Sequence, residues 1–186
     1  MKENNDGFYQ KKTQEKKAPS STDTSMKTPE QLLQFAQKNN IDLYPLDVSR
    51  LTILLGIKMR LEPLKGEDSG CLYKDNKSQE WIMLVNSLHH PNRQRFTIAH
   101  EIAHYLMHSK QLDFFKDEVF FRNGESNIIE IEANRFAAEL LMPSEAFSVF
   151  IKQKSTLVAD IANYFGVSAM AVRIRAQQLG YQGHNL

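Results

Sequence analysis

His100-Glu101-Ile102-Ala103-His104 is the stretch that decides how this chain is read. It lies within an apolar-periodic run from about Arg93 to His108, with Asn92 placed to cap it, so it is expected on a helix. Residues four apart on a helix share one face, one turn above the other. The imidazoles of His100 and His104 can therefore reach one metal ion. Glu101 lies beside that face, where its carboxylate can hold a metal-bound water. A zinc peptidase needs this arrangement. A pair of ordinary helical histidines is the alternative, and the two-histidine pattern alone does not separate them.

A catalytic zinc usually has three protein ligands and one water. In one group of H-E-x-x-H enzymes the third ligand is a later His that follows a Gly. Here Met107 stands where that Gly would be and Lys110 where that His would be, which excludes that group. What remains is a carboxylate from a later helix, expected from about Ile128 to Met142 and ended by Pro143. On it Glu132, Arg135 and Glu139 share one face and read as a solvated stripe. Glu130, Asn134, Ala137 and Leu141 form another stripe, bordering the apolar face of Ile129, Ala133, Phe136 and Leu140. A carboxylate at the margin of an apolar face needs a partner or a metal, which makes Glu130 the candidate third ligand. Asn134, one turn on, is placed to orient a ligand through its side-chain oxygen. A capping box from Asn127 to Glu130 would account for the same residue without a metal. His108 continues the histidine face one turn further away and is read as favouring the helix C-terminus electrostatically. His89 and His90 fall in the preceding loop.

The remaining chain bounds the function. A length of 186 residues suits one compact domain with a small appendage. A formal net charge of +1 exerts no strong pull on nucleic acid or membrane. Cys71 is the single cysteine, so no internal disulfide can form, which suits a reducing cytoplasm. The N-terminus lacks the apolar segment of a secretory signal, and no run approaches membrane-spanning length. Residues 1–27 are polar and poor in branched apolar side chains, and read as a disordered tail.

Thr28 caps a first helix with Pro29 at its first position and Leu32, Leu33 and Ala36 on its apolar face. A second helix runs from Asp47 to Leu55 and stops at Gly56. Ile57 to Glu62 alternates as a half-buried strand. Cys71 to Lys74 and Trp81 to Asn86 are two more strands, joined by a turn at Asp75-Asn76-Lys77-Ser78. The edge of the strand ending Leu84-Val85-Asn86 is expected to pair with an extended substrate. Tyr105, Arg93 and Arg95 are candidate donors to an oxyanion.

A polar loop containing Gly124 follows the first histidine helix, and a helix from Ser144 to about Gln153 follows Pro143. Leu157 to Phe165 and Ala169 to Leu179 then read as two short helices joined by Gly166-Val167-Ser168 in helix-turn-helix fashion. Arg173 and Arg175 could contact phosphate there. The charge is sparse for a stand-alone DNA binder, so a lid or a partner-docking surface is favoured over DNA.

Arg95-Phe96-Thr97-Ile98-Ala99-His100-Glu101-Ile102-Ala103-His104 resembles the active helix of the ImmA/IrrE metallopeptidases. The run Glu130 to Pro143 resembles their second motif, E-x-x-A-N-x-F-A-x-x-L-L-M-P, with every fixed position met. The resemblance covers roughly Thr28 to Gly180. It implies an α+β, gluzincin-like domain over residues 28–153, with a three-stranded antiparallel sheet. A helix-turn-helix-like helical subdomain over 154–186 follows. It implies Zn2+ held by His100, His104 and Glu130, with Glu101 as catalytic base. The implied activity is an endopeptidase acting on a regulatory partner, a helix-turn-helix repressor or an antitoxin encoded nearby. A regulator that binds protein or DNA without cutting, or the toxin of a toxin–antitoxin pair, is the alternative.

Overall fold

A computed structural model describes residues 26–66, 68–116 and 128–181. Most of the expected tail, the loop at Gly124 and the capping position Asn127 lie outside these residues.

The chain enters through α1 (Pro29–Lys38), where Thr28 and Gln31 form a reciprocal capping box and Leu32 and Ala36 are buried. In α2 (Val48–Leu54) the Asp47 carboxylate accepts from the Arg50 amide at 2.9 Å. Gly56, at φ 74°, takes the left-handed conformation that ends the helix. Four strands follow: β1 (Lys58–Glu62), β2 (Gly70–Lys74), β3 (Trp81–Asn86) and, later, β4 (Phe114–Lys116).

The sheet corrects the expectation of three antiparallel strands. Its order is β1-β3-β2-β4, with β1 parallel to β3 and the other pairs antiparallel. Alternation along a strand is local, whereas its neighbour is set by where the connection carries the chain. β3 lies between β1 and β2 in the sheet, so β1 never meets β2 directly. As an edge strand β1 is also more exposed than expected, with Leu61 facing solvent. β4 escapes notice because three residues show no period. β3 is internal with both edges paired, so it offers no edge to a substrate.

Beneath the sheet runs α3 (Pro91–Met107), packed on β2 and β3 and against α2 and α4 (Ile128–Leu141). It begins two residues before the expected start. His90 is the N-cap, its Nδ1 accepting from the Asn92 amide, and Pro91 holds the first position. The Asn92 side chain is used elsewhere and donates to the Val167 carbonyl at 2.8 Å. Every residue from Thr97 to Leu106 is buried. A helix enclosed on all sides shows no clean amphipathic stripe.

Helices α5 (Ser144–Gln153), α6 (Val158–Phe165) and α7 (Ala169–Gln178) complete the fold. Gly166, at φ 63°, caps α6, and Ser168 caps α7 through the Ala171 amide. One continuous buried cluster runs from Leu32 on α1 to Val172 and Ala176 on α7. Arg175 is drawn into that interior. Only 4% exposed, it donates to the Met142 carbonyl and pairs with Glu139. Glu139 is therefore half-buried and held by Arg175 and Ser144, where a solvated stripe was expected. Among the described residues no helix is long and apolar enough to cross a membrane.

Candidate metal centre

His100 and His104 face Glu130 across the α3–α4 contact. Their Nε2 atoms lie 2.9 Å apart. Glu130 carboxylate oxygens stand 3.2 Å from His100 Nε2 and 3.3 Å from His104 Nε2. One ligand atom from each of the three residues falls within 4.8 Å of the others. The helical-face argument thus selected a carboxylate that the fold brings to the two histidines.

The other nitrogen of each ring is held from outside. His100 Nδ1 lies 3.2 Å from Asn134 Oδ1, and the Asn134 amide nitrogen donates to the Glu130 carbonyl. That second bond turns the Asn134 oxygen toward His100, which makes His100 Nδ1 the donor. His104 Nδ1 lies 3.0 Å from His108 Nδ1. Phe115 of β4 stacks on the His104 ring at 4.7 Å between centroids and 21° between planes.

Charge states suit a divalent cation. Desolvation by burial lowers the pKa of His104 and favours its neutral form. Burial opposes ionisation of Glu130. The His100 and His104 rings against the carboxylate outweigh it and hold the carboxyl at about 2. Neutral imidazoles and a carboxylate anion are the states a metal requires of its ligands. With His100 Nδ1 donating outward, its Nε2 lone pair points at His104 Nε2. Two nitrogens at that separation need a proton or a cation between them. The donor set of two His and one Glu fits zinc.

Glu101 is fully buried on the sheet side of α3. Gly70, at the start of β2, makes room for it. A Cβ built on Gly70 would lie 3.5 Å from Glu101 Oε1 and 2.6 Å from Thr97 Cγ2. Two of the three candidate oxyanion donors make hydrogen bonds elsewhere, and the ring of the third is packed in the core. Arg93 donates to Ser69 Oγ at 2.9 Å. Arg95 donates to the Gly166 carbonyl at 2.8 Å, and burial lowers its pKa. Tyr105 is buried edge-on against Trp81.

The sequence reading missed three neighbours of the site. His108 was visible at helical spacing but was assigned to the helix terminus. It is 4% exposed, with Nε2 lying 3.2 Å from Glu132 Oε2. Phe115 and Gly70 reach the site only through strand pairing, for which the sequence carries no local signal.

Several known proteins are similar to this chain. Metallopeptidase ImmA of Bacillus subtilis is 29% identical over 117 residues, 62% of this chain and 66% of that protein. A radiation response metalloprotease, IrrE of Deinococcus radiodurans, is 30% identical over 119 residues, 61% of this chain and 34% of that protein. Uncharacterized immunity region protein 2 of Bacillus phage phi105 is 32% identical over 104 residues, 55% of this chain and 63% of that protein. The aligned segments thus span about a third to two thirds of these relatives. Residues 54–177, about two thirds of the chain and both motif helices included, match the family described as the IrrE N-terminal-like domain, and the chain belongs to that family.

Proposed function

We propose that this protein is a zinc-dependent endopeptidase that hydrolyses a peptide bond in a regulatory protein, a repressor or an antitoxin. The convergence of His100, His104 and Glu130 beside a buried Glu101 carries the reading. His100 and His104 would hold the metal through Nε2, and Glu130 through its carboxylate. Zinc, when bound, supplies a polarised water and a Lewis acid for the substrate carbonyl. Glu101 takes the proton of the attacking water on its carboxylate and passes it to the departing amine. Asn134 holds His100 in orientation. An extended substrate would lie along the outer edge of β4, whose Phe115 already covers His104.

The names of the relatives support a regulatory target: one is an immunity region protein and another a radiation response metalloprotease. Of the two α7 arginines considered for DNA, Arg175 is turned inward and only Arg173 is exposed, which favours a protein partner. A cytoplasmic setting fits the single cysteine.

The test is Glu101→Gln beside the wild type, with zinc content and cleavage of a candidate regulator measured on both. Zinc retained at full stoichiometry, with cleavage reduced about 10²–10⁴-fold, is the expected result. An undiminished cellular effect from the Gln variant would instead mark a regulator that acts by binding.

A further inference from the structure

We propose that His108 is a positioning residue that, backed by Glu132, fixes His104 in the tautomer able to bind metal; this rests on the metal site proposed above. His104 offers its Nε2 to the site, so its other nitrogen must carry the ring hydrogen. That nitrogen, Nδ1, lies 3.0 Å from His108 Nδ1 inside the protein. Two ring nitrogens in contact can bond only if one donates and the other accepts. A metal-binding His104 must donate, so His108 accepts on Nδ1 and carries its own hydrogen on Nε2. His108 Nε2 points at Glu132 Oε2, 3.2 Å away, and a carboxylate can only accept. Glu132, His108 and His104 are then satisfied by a single pattern of hydrogens, directed outward from the metal. The reverse pattern would leave Glu132 facing a lone pair and put a hydrogen on His104 Nε2, which blocks the ligand.

Burial and packing hold the pair in place. His108 is 4% exposed, and its ring leans against both His104 and Phe115. Its amide also donates to the His104 carbonyl at 2.9 Å, which closes the last turn of the helix. The two histidine ligands therefore have matching supports: Asn134 behind His100, and His108 with Glu132 behind His104. Such outer partners are typically worth about 10–100-fold in metal affinity.

Zinc affinity measured by competition with a chelator tests this on the full chain, for wild type, His108→Leu, His108→Asn and His100→Ala. His108→Leu fills the space without an acceptor, and about a 10–100-fold loss of affinity is expected. Asn places a carbonyl oxygen near the position of Nδ1, so His108→Asn should recover most of the loss. His108→Leu binding zinc like the wild type, or His108→Asn falling as far as His108→Leu, overturns the proposal. His100→Ala separates the two levels: if it too binds like the wild type, the metal site itself is wrong. Nitrogen NMR of the zinc-loaded wild type decides independently of whether a variant folds. A hydrogen on His104 Nδ1, shared with His108 Nδ1, is expected. Ligation of His104 through Nδ1 would refute it.

Discussion

Gly70→Ala is the smallest change that should disturb the site. Gly70 has no left-handed φ, so its backbone would accept any residue; only space excludes a side chain. An added Cβ would lie 2.6 Å from Thr97 Cγ2 and 2.7 Å from the Leu84 carbonyl oxygen. Unstrained carbon contacts sit near 3.5–4.0 Å, so β2 and α3 must part by roughly 1 Å. Neither obstacle yields easily. Thr97 is β-branched on a buried helix, and the Leu84 oxygen belongs to the central strand. Overpacking of this kind costs about 1–3 kcal/mol. At roughly 2–4 °C per kcal/mol for a domain of this size, Tm should fall by about 2–12 °C. Because the same Cβ lies beside Glu101, a shift of about 1 Å there should lower turnover by up to ~10²-fold. The nearest atoms to that Cβ belong to Thr97, Leu84 and Glu101, not to His100, His104 or Glu130, so zinc content should hold. Calorimetry, zinc analysis and a peptide-cleavage assay read the three quantities. Adding Thr97→Ser removes one obstacle but not the carbonyl, so it should restore only part of the loss. A Gly70→Ala protein with wild-type Tm and turnover would refute the reasoning.

Other perturbations reach different parts of the argument. Arg175→Met should destabilise by about 3 kcal/mol because it leaves the half-buried Glu139 without its cation; Glu139→Gln in the same chain should recover part of it, as denaturant midpoints would report. Zinc at about 100 times its dissociation constant should stabilise the chain by ~2.7 kcal/mol, seen as a rise in Tm that a chelator reverses. His100→Ala should lose that response. Arg95→Met should leave the Gly166 carbonyl without its donor and cost about 1–3 kcal/mol. Faster hydrogen exchange along α6, with unchanged zinc affinity, is the signature that the damage is local to the C-terminal pair.

The candidate ligand set was legible because it is written at helical spacing. His100 and His104 are one turn apart on α3, and the position of Glu130 at the margin of an apolar stripe distinguished it from Glu132 and Glu139. Two helix starts were legible for the same reason, since a cap is a short-range hydrogen bond: Thr28 and Ser168 do what their side chains predict, whereas Asn92 does not. The sheet order was not, because nothing within Ile57 to Glu62 says which strand will lie beside it. The inward turn of Arg175 was not legible either, because its partner Glu139 is 36 positions away. His108 was visible, but only its place at the helix end was read. Spacing showed that it lay too far along the helix to join the metal, and not that its ring would meet the unused nitrogen of His104.

The placement of the site in the fold explains why these outer contacts matter. Two imidazoles and a carboxylate on a helix buried from Thr97 to Leu106 must be hydrogen-bonded or bound to a cation, since an unpaired polar group there is costly. The chain meets that demand at the imidazoles with Asn134 and Glu130 from α4 and His108 from the end of α3, while Phe115 of β4 packs on His104 and Gly70 of β2 leaves room for Glu101. Each contributor comes from an element that is itself part of the continuous core. A ligand cannot therefore move without moving a helix or a strand. Rigidity of this kind gives a metal site its geometry before the metal arrives. It also means that mutations in the supporting contacts should separate into two groups. Those at Asn134, His108 and Phe115 should act on metal affinity, because they touch His100 or His104, and those at Gly70 and Thr97 should act on turnover, because they border Glu101.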